Sequence, residues 1–393
     1  MICRSEIERT VPVTSLGYII ERCRGFRSRA LHKSHENHPV VCIGPRSLIF
    51  SSPGAIRDIY GHGTACVKGE IHSVSSGSHS NILDVVNKAE HARKHRYMSH
   101  AFATRNLETW KNKSDKVQRL VRQFDSVVDT AGQLDFRKWT NLFTVEAIVD
   151  IAVATQRLLV WTSSWFPLWR AVLKIVPRYF RTNWRLGNDL NKLARYVARE
   201  RIRRHNERED LDNLMRCVLE DNKGMPRNLV TGKIEAELTI LMDAGSDTTA
   251  IALTNVMYRL LKNNSTLERL REEIDAALSN TDSSIATYSQ VGILPYLRAC
   301  LDESLQLSSP VAFGLNRKTP LGGTTTDGHL VPGGITVGVL AYTAHRNLAF
   351  FPEPEAFHPE CWIGEDAKKA QASFITFSTA RRGCIRRHLS YME

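Results

Sequence analysis

Lys233–Lys262 is the longest helical stretch of this 393-residue chain, and it carries a glycine, Gly245, in its middle. Glycine in a helix interior costs about 1 kcal/mol relative to alanine. Ser246, Asp247, Thr248 and Thr249 follow, all poor helix formers, with apolar Ile240, Leu241, Ile251 and Leu253 on either side. A long helix that accepts this cost is expected to widen locally and to face a pocket. A plainer reading keeps the helix regular and lets the hydroxyls bond back to helical carbonyls.

Around that stretch the chain is helix-dominated, with two β-rich patches. Residues 39–52 read as two short strands about a Gly44-Pro45 turn, and Pro53–Tyr60 starts a helix. Residues 61–82, rich in Gly and Ser, read as an exposed loop. Val85 to about Asp129 is largely helical with a break near Asn106, and 137–155 is a further helix. Residues 160–180 hold three tryptophans and two prolines and fit no element, and Lys192–Arg208 is a basic helix. Residues 264–280 and 294–307 are amphipathic helices. Gly, Thr and Val dominate 310–342, where short strands flank a Pro332-Gly-Gly334 turn. The fold class is therefore mainly α with a small β-rich region.

Net charge is +12, which suits an acidic partner or an anionic membrane surface; no zinc finger or RNA-binding aromatic motif accompanies it, so nucleic acid is not expected. The eight cysteines form no C-x-x-C pair and read as reduced thiols of an intracellular protein. No secretory signal or membrane-spanning run is visible. His32, His35 and His38 recur at steps of three, a spacing that a metal could use, but their polar surroundings favour a surface loop.

The segment that bears chemistry lies near the end: Phe377-Ser-Thr-Ala-Arg-Arg-Gly-Cys384-Ile-Arg386. One cysteine sits in a turn with glycine and arginine, just ahead of a helix start, where main-chain N–H groups favour a thiolate. Phe377 is placed to pack, Arg382 to meet an anion, and Gly383 to permit a tight approach.

This segment resembles the F-x-x-G-x-R-x-C-x-G loop of the haem-thiolate monooxygenases, the cytochrome P-450 family. Phe377, Arg382 and Cys384 match, while Ala380 and Arg386 stand where that pattern has glycine. Ala244-Gly-Ser-Asp-Thr-Thr249 looks like the family's A/G-G-x-D-T-T. Glu303 matches its E-x-x-R, but Gln306 replaces the arginine; in Pro359-Glu-Cys361-Trp362, Cys361 replaces a second arginine. Both cationic partners of Glu303 are thereby gone, and a carboxylate buried without them is expected to have a raised pKa or to recruit water. His91-Ala-Arg-Lys-His95 is similar to H-x-x-x-R, with His95 in place of the arginine, and Arg96, about 100° further round the helix, is no simple substitute. His345-Arg-Asn and Phe351-Pro-Glu-Pro-Glu-Ala-Phe357 look like the stretch that precedes the cysteine loop. Order and separations also suit the family: 303 − 247 = 56 and 384 − 303 = 81.

The resemblance implies one P-450-like helical domain over 1–393, shortened near 155–185 and cut short after the cysteine loop. It implies haem b with Cys384 as the axial iron ligand. Arg382, Arg317 and His91 are the implied propionate holders, and Asp247 with Thr248 the proton-handling pair. Implied partners are a small apolar organic substrate and an NADPH-cytochrome reductase whose acidic face meets the basic chain, with peripheral contact at the endoplasmic reticulum membrane. The nearest likeness is to filamentous-fungal members of secondary metabolism. Two other readings stay open: a degenerate homologue without turnover, and a basic helical interaction protein with no cofactor, which leaves the ordered motifs unexplained.

Overall fold

A computed structural model describes residues 27–69, 72, 78–104, 112–130, 132–146, 218–221, 223–279 and 285–393, with isolated positions between 192 and 207. Its first elements are α1 (Arg27–His35), β1 (Val40–Gly44), β2 (Ser47–Phe50), α2 (Pro53–Tyr60), β3 (Val67–Lys68), α3 (Lys88–Ala101), α4 (Asn112–Asp129) and α5 (Phe136–Glu146). Then come α6 (Thr231–Lys262), α7 (Asn264–Leu278), α8 (Pro295–Leu307), β4 (Arg317–Lys318), β5 (Thr324–Thr326), β6 (His329–Val331), β7 (Thr336–Val339), α9 (Asp366–Ser373) and α10 (Arg387–Met392). Among the described residues no helix is long and apolar enough to cross a membrane.

The chain divides into two compact units. The first takes Met1–Glu70, Asn255–Asp282 and Ser289–Cys384. Its five-stranded sheet has the order β1-β2-β7-β4-β3. β1 and β2 form an antiparallel hairpin, while β2 and β7 run parallel with Leu48 opposite Val337. β-branched and aromatic residues fill these strands and bury Val40, Leu48, Phe50, Val337 and Val339 against Ala55 and Ile59 of α2. Pro53 opens α2, and the Ser52 hydroxyl accepts from the Ala55 N–H, so the helix start is capped as its sequence requires. A second core joins Leu260, Leu270, Tyr296, Cys300, Leu307 and Phe357. A third joins Ala299, Phe351, Trp362 and Ala370, with Phe374 against it.

The second unit takes Ile71–Thr254, Ser283–Tyr288 and Ile385–Glu393. Ile82, Tyr97, Met98, Phe102, Leu241 and Leu389 make its main core, which brings together α3, α6 and α10. Asn87 caps α3 by accepting from the Glu90 N–H. The Thr140 and Thr254 hydroxyls, 3.0 Å apart, tie α5 to α6. Lys94 of α3 and Glu237 of α6 form a fully buried ion pair. Lys94 also donates to the Ser80 carbonyl (2.7 Å), and Glu237 accepts from the Ile82 N–H (2.9 Å).

Several expectations need correction. Val67–Lys68 lies inside the supposed loop, yet it forms the sheet-edge strand β3, because pairing with β4 supplies what two residues of local pattern cannot signal. His32 and His35 lie on α1, not in a loop, and burial lowers the pKa of both. Cys42 is disulfide-bonded, so the reading of all eight cysteines as reduced thiols fails there; Cys66, Cys300, Cys361 and Cys384 are not in disulfides. Contact in space, which spacing along the chain does not reveal, decides that pairing. Nearly all of 160–208, the break near Asn106 and the far half of the 137–155 helix lie outside the described residues.

Candidate functional site

In the first unit the cysteine loop is held mainly by its own backbone. The Cys384 N–H donates to the Phe377 carbonyl (2.7 Å), Ser378 to Ile375 (2.9 Å) and Gly383 to Ala380 (3.0 Å). The price is two residues in the left-handed region, Ser378 (φ 56°) and Ala380 (φ 54°). An L side chain there costs about 1–2 kcal/mol, which is the physical reason for a glycine at that point of the resembled pattern. Gly383 has φ −56°, so it is not required by its backbone angle, but a Cβ on it would press on the Ala380 carbonyl at 3.2 Å, which keeps this position tight as well. The result is an exposed Cys384 thiol, not tied up in a disulfide, at the end of a fixed turn, two residues ahead of Arg386 at the N-terminal boundary of α10.

Two arginines stand near this loop. Arg317 is buried, donates to the Leu315 and Asn316 carbonyls (3.0 and 3.1 Å), and lies over the Tyr60 ring at 5.0 Å. It makes no ion pair among the described residues. Arg382 is half-buried, and burial first, then the like charge of Arg317, brings its pKa down to about 10. Two partly desolvated guanidinium groups that feel each other's charge make this a positively charged place, suited to an anionic group. A dicarboxylate such as haem fits it, and an exposed thiol fits iron.

Behind the loop, Glu303 of α8 is buried without a cation. Its carboxylate accepts from the His358 N–H (2.9 Å), the Trp362 indole N–H (2.7 Å) and the Cys361 thiol (3.6 Å). Burial raises its pKa, and these three donors offset part of that rise. The same burial, helped by the Glu303 charge, pushes the Cys361 thiol up. Gln306 turns elsewhere and donates to the main-chain carbonyls of His345 and Pro354.

In the second unit, α6 is continuous α-helix through residues 244–249. The expected widening is absent. The Thr248 hydroxyl donates to the Ala244 carbonyl (2.6 Å) and Ser246 to Met242 (3.0 Å), so back-bonding satisfies these two, while the buried Thr249 hydroxyl has no such bond among the described residues. Gly245 has another use: a Cβ there would collide with the guanidinium of Arg386. That guanidinium donates to the Leu241 carbonyl (3.1 Å) and pairs with Glu393 (3.3 Å), all buried. Arg386, which replaces a glycine of the pattern, is thus seated on a glycine of the helix. Asp247 is buried next to Thr248.

His91 is buried on α3, its ring 5.8 Å from that of His95. Arg96 is exposed, as its angle on the helix dictates. Lys94, missed in the sequence as a buried cation, shares the His91 face; its only local signal is the i,i+3 spacing.

Of the expected site residues, Arg317, Arg382 and Cys384 belong to the first unit, and His91, Asp247 and Thr248 to the second.

Comparison with known proteins agrees with these motifs. The family model "Cytochrome P450" matches residues 10–393. The Cytochrome P450 monooxygenase poxM of Penicillium oxalicum is 26% identical over 92% of this chain and 75% of its own length. Benzoate 4-monooxygenase bphA of Aspergillus niger is 26% identical over 97% and 83%. Tryprostatin B 6-hydroxylase of Aspergillus fumigatus is 26% identical over 94% and 68%. A crystal structure of a cytochrome P450, 21% identical, superposes with a TM-score of 0.75 over 93% of this chain and 88% of that one, which shows the fold. The family carries haem iron on a cysteine thiolate, works with a redox partner and acts on organic substrates. With its ordered motifs, its helical fold and its fungal relatives in agreement, the chain belongs to the cytochrome P450 family and is an oxidoreductase of the monooxygenase class.

Proposed function

We propose that this chain inserts one oxygen atom from O₂ into a small apolar organic substrate in fungal secondary metabolism. Electrons come from NADPH through a reductase whose acidic face meets the basic chain. The observation that carries the reading is the exposed Cys384 thiol on a self-bonded turn, with the cationic Arg317 and Arg382 nearby, a setting that suits an anionic group. The fungal monooxygenase relatives, a tryprostatin B 6-hydroxylase and poxM among them, support an organic substrate of secondary metabolism.

When bound, haem supplies the reductive activation of O₂, with one oxygen atom going to substrate and the other leaving as water. Cys384 gives its thiolate as ligand. Arg317, Arg382 and His91 hold the two carboxylates and thereby fix the ligand's orientation. Asp247 and Thr248 hold and pass protons. Thr248 spends its own proton on the Ala244 carbonyl, and its oxygen lone pairs stay open to accept a hydrogen bond from an incoming donor. The carboxylate of Asp247, one residue away, is the store from which that donor is resupplied.

The test is the reduced protein under carbon monoxide. The red-shifted Soret band of thiolate ligation is expected in the wild type and its loss in Cys384→Ser. The same band in the Ser variant would remove Cys384 from the role. Thr248→Ala should keep haem and substrate binding but divert electrons to peroxide; unchanged product per NADPH would remove Thr248.

A further inference from the structure

His345 is wholly buried between the end of α8 and the segment after α9 that leads to the cysteine loop. Its Nδ1 lies 3.1 Å from the Gln306 carbonyl, and its Nε2 lies 3.1 Å from the Ile375 main-chain N–H. A main-chain carbonyl only accepts and a main-chain N–H only donates. The tautomer is therefore forced: Nδ1 carries the proton and gives it to Gln306, and Nε2 presents its lone pair to Ile375. Burial holds this imidazole neutral, with its pKa lowered to about 3. The ring stacks on Phe374 at 5.3 Å and meets the edge of Phe351 at 6.4 Å.

Every neighbour of His345 leads toward Cys384. Ile375 accepts the Ser378 N–H, and Phe377, two residues on, accepts the Cys384 N–H. On the other side, the Gln306 amide donates to the carbonyl of His345 itself. Gln306 and His345 thus hold each other by two reciprocal bonds, and His345 then holds Ile375. Flanking ties run parallel: the Ser373 hydroxyl to the Ala344 carbonyl (2.7 Å) and the Thr376 hydroxyl to the Leu305 carbonyl (3.3 Å).

We infer that His345 is the positioning residue of the cysteine loop, through which the uncharged pair with Gln306 sets the start of the Ile375–Cys384 turn. The inference rests on Cys384 being the iron ligand. It adds a residue whose part is played through two uncharged hydrogen bonds, at a place where this chain has given up the arginine of E-x-x-R.

The experiment compares His345→Phe, which keeps the ring and removes both hydrogen bonds, with His345→Gln, which keeps one donor and one acceptor and removes the ring. Leu270→Ala, in a core outside this network, serves as a control for general loss of stability. Amide exchange at Ile375 and Cys384 is followed in the full chain as purified, relative to core amides of β7. His345→Phe should exchange at those two amides about tenfold faster, as loss of one such bond implies, and should shift the carbon monoxide band toward the form without thiolate. His345→Gln should restore both, and Leu270→Ala should leave the ratio as in wild type. Unchanged exchange in His345→Phe, or equal acceleration in Leu270→Ala, overturns the inference. If His345→Phe does not fold, His345→Gln decides: wild-type loop exchange despite the missing ring upholds it, and faster loop exchange overturns it. A wild type without the thiolate band would instead refute Cys384 as ligand and leave the exchange result to be read by itself.

Discussion

Two buried glutamates, one in each unit, solve the same problem in opposite ways. Glu237 faces an ammonium, that of Lys94, and accepts one main-chain N–H. Glu303 faces no cation and accepts from a main-chain N–H, an indole and a thiol. Burial pushes both carboxyls upward. At Glu237 the Lys94 charge pulls back; at Glu303 neutral donors do most of this, with a smaller pull from His358. The difference shows that burial fixes how many donors a carboxylate needs, while charge is one of several ways to supply them. Gln306 and neutral His345 stand beside it as uncharged support.

The largest effect is expected where charge is used. Lys94→Met leaves Glu237 buried without a cation and should cost about 3–5 kcal/mol in denaturant unfolding. Lys94→Met with Glu237→Leu should recover most of that loss. A single variant within 1 kcal/mol of wild type, by the same order-of-magnitude scale, would mean that Glu237 is satisfied as a neutral acid, and the contrast with Glu303 would vanish.

Next is the acid limb at His345. Its folded pKa of about 3 lies below the unfolded value of 6.5, so the unfolded chain binds the extra proton as pH falls. Stability is then full above pH 6.5 and is lost between there and pH 3, by on the order of 5 kcal/mol from this group. His345→Gln should flatten that limb in unfolding curves taken at stepped pH. An unchanged slope would show that the imidazole is protonated in the fold and that this support is not uncharged.

Glu303 has the opposite sign. Its folded pKa is raised, so stability is present below the unfolded pKa and is lost as pH rises through the folded one. Glu303→Gln should remove that loss and leave the protein equal to or about 1–2 kcal/mol more stable than wild type at neutral pH. A destabilised Gln variant would show that the three donors require the anion.

The smallest effect is at the loop. Ala380→Gly relieves a left-handed alanine and should gain about 1 kcal/mol in thermal unfolding. No gain would place the strain elsewhere in the turn.

What could be read from the sequence follows the reach of each signal. α6, α8, α2 and the β1–β2 hairpin were legible because periodicity and caps are local. The cysteine loop was legible as a pattern, and the departure at Ala380 marked the strained residue before its φ was known. Lys94 with Glu237, 143 positions apart, carries no local mark, since a lysine on a basic helix looks like any solvated one. The widening at Gly245 was inferred from helix propensity alone, and tertiary contact overrode it. His345 was noted only as part of a matching stretch, because its importance lies in two main-chain partners 39 and 30 residues away.

The seat of Arg386 on Gly245 makes the two positions partners in one small lock. A side chain at 245 would have to push the guanidinium, the movable end of a long side chain, off the Leu241 carbonyl. The cost of filling 245 is thus set by what stands at 386, and changes at the two positions should be non-additive: with a small residue at 386, an alanine at 245 meets nothing to displace.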